Sequence, residues 1–309
     1  MKENGFQHWH IHFESSRFDG MITVDEAEED LLAYDKPAYA ITDHGAMPSI
    51  IALNSICVKH KKKLVPGSEI YVVNDLEEKL DCPRGEKINK KRHLVLLAKN
   101  ETGFQNLIYL NSLASMYFYM KPRVDHDYVF EKSEGLIATT ACLGGVIAYP
   151  LLWDDSATEQ ERQKNAEEIA FRYREAFGDD FYLEIQPVDK KEQLILNSFM
   201  INLHKKHGFN LIATNDAHYA KKDHYVFHAH LIAVQNRSQD SDNELVYKPG
   251  HHLRNLDEMR EAFIANGTTK EYPIEVEHAI QTANQLDQKI EGVKISKNLK
   301  VPEYRESNI

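Results

Sequence analysis

A chain of 309 residues with 42% hydrophobic content can build one large α/β domain or two smaller ones, which excludes wholesale disorder. Its formal charge of −11 excludes a broad basic surface gripping duplex DNA by phosphate neutralisation alone, but leaves room for a small nucleic-acid site whose positive charge comes from bound cations. Three cysteines (Cys57, Cys82, Cys142) form no disulfide framework. With no apolar leader in "MKENGFQHWH" and no stretch of membrane-spanning length, the chain reads as a soluble cytoplasmic protein.

Strand-like and helix-like segments alternate. "FQHWHIHF" reads as a first strand, with His8, His10 and His12 on one face and Trp9, Ile11 and Phe13 on the other. "TVDEAEEDLLAY" is a helix opened by a Thr23–Glu26 capping box. "AYAIT" is a short strand, and "SIIALNSICVKHKKK" is a helix with a basic last turn that suits its dipole. "LVPGSEIYVV" is a strand, with a bulge or bend expected at Pro66 and Gly67. The polar run 74–91 reads as a hairpin or loop, "HLVLLAK" as a strand, and "ETGFQNLIYLNSLASMYF" as a long helix. "GLIATT", "FYLEIQP" and "NLIATND" are strands separated by the helices "SATEQERQKNAEEIAFRYREAF" and "KEQLILNSFMINLHKKH". Seven such units imply parallel strands with helices outside, either closed as a barrel or left as an open sheet. Beyond Tyr219 the pattern turns helical, clearest in "DEMREAFIANG" and "YPIEVEHAIQTANQLDQK", and "KISKNLKVPEYRESNI" reads as a polar tail.

Chemistry in parallel α/β folds collects at the carboxyl ends of strands. Here "HIH" is followed by Asp19, "TDHG" carries Asp43 and His44, and "GSEIYV" carries Glu69. "RHLVLL" carries His93, "TTACLGG" Cys142, "FYLEIQ" Glu184, and "TNDAHY" Asp216 and His218. Taken singly, each has a bland reading as a turn or core residue. Gathered together, carboxylates would repel and imidazoles would be costly to desolvate unless cations neutralise them. The mixed N, O and S donor set suits zinc, manganese or iron better than calcium.

As a set, "HIH" with Asp19, "TDHG", "GSEIYV", "HLVLLAKN", "CLGG" and "TNDAHY" resemble the PHP (polymerase and histidinol phosphatase) domain family. "SRFDG", "FYMKPRVD", "GLIATTACLGG" and "AFGDDFYLE" are similar to the branch found at the N-terminus of bacterial DNA polymerase III alpha subunits. The resemblance implies a distorted seven-stranded (β/α) barrel over residues 1–285, with a helical C-terminal extension and a polar tail or linker at 286–309. It implies two or three divalent ions. His10 and His12 resemble ligands of a first ion, with Glu69 and Asp216. Glu69 looks like the bridge to a second ion, also held by His93 and Cys142. Asp19, His44 and His218 look like a third site. His8 matches no ligand position and reads as a flanking residue.

The resemblance implies phosphoester hydrolysis centred on His10, His12, Glu69 and Asp216, with water activated by metal as the nucleophile rather than Cys142. Asp43 and Glu184 are expected to support the ligands, Asp43 by orienting a histidine. Lys121 and Arg123 are expected to meet substrate phosphates, against a plain reading as a solvated helix end. Three functions compete: a 3′–5′ exonuclease on single-stranded DNA, a phosphatase on a small ester, and a metal-stabilised scaffold for a replicative polymerase chain. The branch motifs and the complete ligand set favour the first. Polymerisation by this chain alone is not expected.

Overall fold

The computed structural model describes residues 1–17, 19–76, 91–236 and 249–295. Several of its helices start where a side chain supplies a cap. α1 (Val24–Tyr34) opens with the expected box, in which Thr23 accepts from Glu26 N and the Glu26 carboxylate accepts from Thr23 N. α1 leads to β1 (Ala38–Ile41), α2 (Ile50–His60), β2 (Lys63–Val73), β3 (Arg92–Ala98) and α3 (Glu101–Met116). The short β4 (Val124–Asp125) and α4 (His126–Glu131) follow, then β5 (Leu136–Thr139), α5 (Glu159–Phe177), β6 (Phe181–Ile185), α6 (Lys191–His207) and β7 (Asn210–Ala213). The last helices are α7 (Tyr225–Asn236), α8 (Leu256–Ala265), α9 (Thr268–Glu271) and α10 (Pro273–Gln285).

The strands form one mixed sheet in the order β1-β2-β3-β5-β6-β7, with β4 paired to β2. The expected all-parallel order fails at β3, which runs antiparallel to both β2 and β5. An unbroken apolar run such as "HLVLLA" fixes burial but not direction. Pro66 and Gly67 mark a change of partner within β2. Ile41↔Pro66 is the last pair with β1, and Gly67↔Leu97 the first with β3. A Cβ on Gly67 would lie 2.6 Å from Ile41 O and 2.8 Å from Leu96 O, so only glycine fits this hand-over. Most of the run 74–91 lies outside the described residues.

The expected first strand is an extended segment with single bridges at Ile11 and Phe13. It joins the two edges of the sheet. His12 N donates to Ala217 O (2.8 Å), Ala217 N to His10 O (3.0 Å), and Thr42 N to Ile11 O (3.1 Å). The sheet therefore curls until the end of β7 and the end of β1 meet across His10–Phe13. Trp9, Ile11 and Phe13 are buried as expected, and Trp9 Nε1 donates to Ala283 O of α10 at 2.7 Å. Part of the expected tail is packed. Leu286, Ile290 and Val293 are buried, and Val293 N donates to Leu64 O. Among the described residues no helix is long and apolar enough to cross a membrane.

One buried titratable group makes stability depend on pH. His126 on α4 is 5% exposed, and its Nδ1 lies 2.9 Å from Tyr173 Oη. Burial, with the charges of Arg172 and Arg92, pushes it down to about 4. The unfolded chain then binds this proton more readily than the native one between pH 6.5 and 4, so stability rises with pH across that window. Chemical denaturation of wild type and His126→Gln at pH 7 and pH 4 should show wild type losing about 3 kcal/mol more than the variant.

Candidate metal centre

The segments that join at the sheet's closure carry the ligand-type residues. His10 and His12 lie on the closing segment, two apart and both fully buried. His44 follows β1, Glu69 and His93 lie within β2 and β3, and Cys142 follows β5. Asp216 and His218 follow β7. Asp216 holds a left-handed conformation (φ 49°), which aspartate tolerates better than most residues.

Glu69 stands at the middle. Its Oε1 is 3.3 Å from His10 Nε2, 2.8 Å from His93 Nδ1 and 4.0 Å from Cys142 Sγ. Its Oε2 is 2.6 Å from His44 Nδ1 and 3.7 Å from His12 Nε2. Asp216 Oδ1 lies 3.1 Å from His10 Nε2, 3.2 Å from His12 Nε2 and 3.7 Å from His218 Nδ1. Asp19 closes the far side, with Oδ2 2.8 Å from His44 Nε2 and Oδ1 3.4 Å from His218 Nε2. The structure thus brings His10, His12, Asp19, His44, Glu69, His93, Cys142, Asp216 and His218 into one continuous cluster.

The electrostatics are those of charges crowded out of water. Burial pushes His12 down to about 3, helped by the positive charges of His44 and His218. Burial also works against a charged His44, but Glu69 and Asp19 raise it to about 10. Burial opposes ionisation of Glu69 and Asp216, yet the surrounding imidazoles hold both carboxylates well below their usual range. Burial, Asp216 and Glu69 all push the Cys142 thiol up. A cation would ease each of these conflicts at once.

The donor set fits divalent ions on a direct observation. His10 Nε2, His12 Nε2, Asp19 Oδ1, His44 Nδ1, Glu69 Oε2 and Asp216 Oδ1 are buried, point into the cluster and make no hydrogen bond. Buried polar atoms without partners are rare, and such groups converging together call for an ion. Ligand atoms of His10, His12 and Glu69 lie within 4.8 Å of one another, as do those of Glu69, His93 and Cys142, and those of His12, His44 and His218.

The supporting residues divide. Glu184 Oε1 lies 2.8 Å from His10 Nδ1, and Thr139, Thr214 and Gln186 in turn donate to Glu184. This chain fixes the His10 ring so that Nε2 faces the cluster. Asp43 does not orient a histidine. It accepts from Phe13 N, Ser15 Oγ and Ser16 Oγ, and so shapes the turn that carries Asp19. Arg123 is not at a solvated helix end. It is 6% exposed, donating to Tyr117 O and Leu76 O. Lys121 stays near the centre, its Nζ 5.4 Å from the middle of the Tyr71 ring. His8 faces away, its Nε2 2.9 Å from Arg254 O.

The sequence reading missed two histidines. His228 on α7 is fully buried, with Nε2 3.6 Å from Asp19 Oδ1. His251 sets its Nδ1 3.0 Å from Asp216 O, and it groups with Asp216 and His218 as a further cluster of ligand type. Both come from the region after Tyr219, where no short spacing ties them to the motifs.

Curated relatives are replication proteins. DNA polymerase III subunit alpha of Treponema pallidum is 32% identical over 294 residues, covering 94% of this chain and 24% of that protein. The same subunit of Deinococcus radiodurans is 33% identical over 273 residues, with 83% and 19% covered. That of Aquifex aeolicus is 34% identical over 234 residues, with 74% and 20% covered. The chain therefore spans about a quarter or less of the curated relatives it matches. Residues 8–187 match the PHP domain, a stretch holding His10 to Cys142 and leaving Asp216 and His218 to the following segment. That match takes in more than half of the 309 residues, and the chain belongs to the PHP domain family.

Proposed function

We propose that this chain is a metal-dependent phosphoesterase, a 3′–5′ exonuclease that hydrolyses single-stranded DNA beside a replicative polymerase chain in the cytoplasm. The observation that carries the reading is the set of buried, unbonded ligand atoms around Glu69 and Asp216. We infer room for two or three divalent ions among zinc, manganese and iron, held by His10, His12, Glu69 and Asp216, by Glu69, His93 and Cys142, and by Asp19, His44 and His218. When bound, such ions lower the pKa of water and stabilise charge on phosphoryl oxygens.

The protein's own groups prepare the site for that chemistry. Glu184 accepts a hydrogen bond from His10 Nδ1–H and leaves the Nε2 lone pair for a cation. Glu69 offers both oxygens to different neighbours, which suits a bridging carboxylate. Cys142 lies against Glu69 and His93, a setting that opposes a free thiolate nucleophile and suits a thiolate held by a cation. Burial of His10, His12, Glu69 and Asp216 keeps bulk water from screening these charges. Relatedness to polymerase III alpha subunits favours DNA over a small ester as substrate.

The test is incubation of the protein with a 5′-labelled single-stranded oligonucleotide and Mn²⁺. A ladder shortening from the 3′ end is expected, absent with EDTA and in His10→Ala. Hydrolysis of a small phosphate ester without DNA cleavage would move the substrate to the phosphatase class. Metal binding without any hydrolysis would leave a scaffold module.

A further inference from the structure

Beside the metal centre, a turn exposes more apolar surface than folding requires. Met116, Phe118 and Met120 are 82%, 62% and 73% exposed where α3 hands over to β4. The turn is ordered by its own contacts. Tyr119 N donates to Lys121 O at 3.1 Å, and Met120 takes a left-handed conformation at φ 60°. Arg123 braces the turn from below through Tyr117 O, its guanidinium 5.2 Å from the centre of the Tyr119 ring. A closed turn that leaves Phe118 and Met120 in solvent presents them to something.

The turn abuts the centre. A Cβ on Gly45, the residue after His44, would lie 3.2 Å from Pro122 Cγ and 3.5 Å from Tyr71 Cδ2. The Tyr71 ring stacks on His44 with centroids 6.0 Å apart, and stands edge-on to His93 at 5.2 Å. Lys121 lies over the same Tyr71 ring. In a chain of net charge −11, Lys121 beside an exposed aromatic turn is complementary to a phosphodiester backbone with accessible bases.

We propose that the 116–121 turn is the docking platform for single-stranded DNA, with Phe118 and Met120 receiving unstacked bases while Lys121 pairs with a phosphate, so that a strand end passes over Tyr71 to the metal centre. This rests on the phosphodiesterase reading of that centre. Bases paired in a duplex are already stacked and cannot offer their faces to Phe118. One lysine is also too few to hold a duplex by counterion release. A small ester would fit at the centre without touching the turn.

The test is fluorescence anisotropy of 5′-fluorescein oligo(dT), protected by a 3′-terminal phosphorothioate, titrated with Mn²⁺-loaded protein across a salt series. Phe118→Ala and Lys121→Gln should each weaken binding about tenfold. Lys121→Gln should also lower the slope of log Kd against log salt by about 0.7. Ile274→Ser, on the exposed face of α10 (79% exposed), should leave binding as in wild type, and thermal melts report folding of every variant. Binding by the two platform variants equal to wild type would overturn the proposal, and so would a wild type that does not bind oligo(dT). Hydrolysis of bis-p-nitrophenyl phosphate, read in parallel on wild type, separates the two claims. Hydrolysis without DNA binding sinks the platform alone. Binding that needs Phe118 and Lys121, without hydrolysis, sinks the catalytic reading alone.

Discussion

Glu69→Gln should reduce phosphoester hydrolysis by about 10³-fold or more, and should lower metal content at more than one position. The Glu69 carboxylate is within 4.0 Å of ligand atoms from His10, His12, His44, His93 and Cys142, so both of its oxygens are in use. Glutamine keeps the shape but turns one acceptor into a donor and removes the charge that balances His44 and His93. An amide N–H aimed at a cation would repel it. Elemental analysis of the dialysed variant, beside its rate on a chromogenic phosphodiester, checks this directly. Wild-type metal content and rate in Glu69→Gln would remove Glu69 from the bridge.

Gly20→Ala should cost about 3 kcal/mol of stability and strip the site of metal, although Gly20 bears no ligand atom. A Cβ there would lie 2.2 Å from Phe13 O and 2.8 Å from His12 O, contacts that only a backbone shift relieves. The shift would fall between His12 and Asp19. It would pull at the Glu14 N to Ile22 O hydrogen bond, which closes the turn, and at the Met21 N to His218 O bond, which ties it to the segment after β7. Denaturant unfolding and metal analysis of the same preparation give both readouts. A variant as stable as wild type would show that the turn yields more readily than its packing implies.

The gathering of these ligand-type residues was legible because its chemistry is written at short range. His10 and His12 are two apart on an extended segment, "TDHG" sets Asp43 and His44 side by side, and "TNDAH" sets Asp216 and His218 two apart, both at strand ends. Helix starts were legible for the same reason, as the Thr23–Glu26 box shows. What escaped the sequence depends on contacts between distant segments. The direction of β3 is set by its partners β2 and β5, not by "HLVLLA" itself. Arg123 resembles a solvated cation in "MKPRVD", yet the carbonyls of Tyr117 and Leu76 bury it. His228 and His251 reach Asp19 and Asp216 from the chain beyond β7, at separations where a lone histidine carries no pattern. Asp43 sits beside His44 in sequence, but its carboxylate turns back to Ser15 and Ser16.

The most direct test of the account is the metal content of the purified protein measured together with its phosphodiester hydrolysis, before chelation, after chelation and after metal is returned. About two or more divalent ions per chain are expected, with loss of hydrolysis when the ions are removed and recovery on adding Mn²⁺ or Zn²⁺. A protein that holds less than about one ion per chain and hydrolyses phosphodiesters regardless of chelator would contradict it.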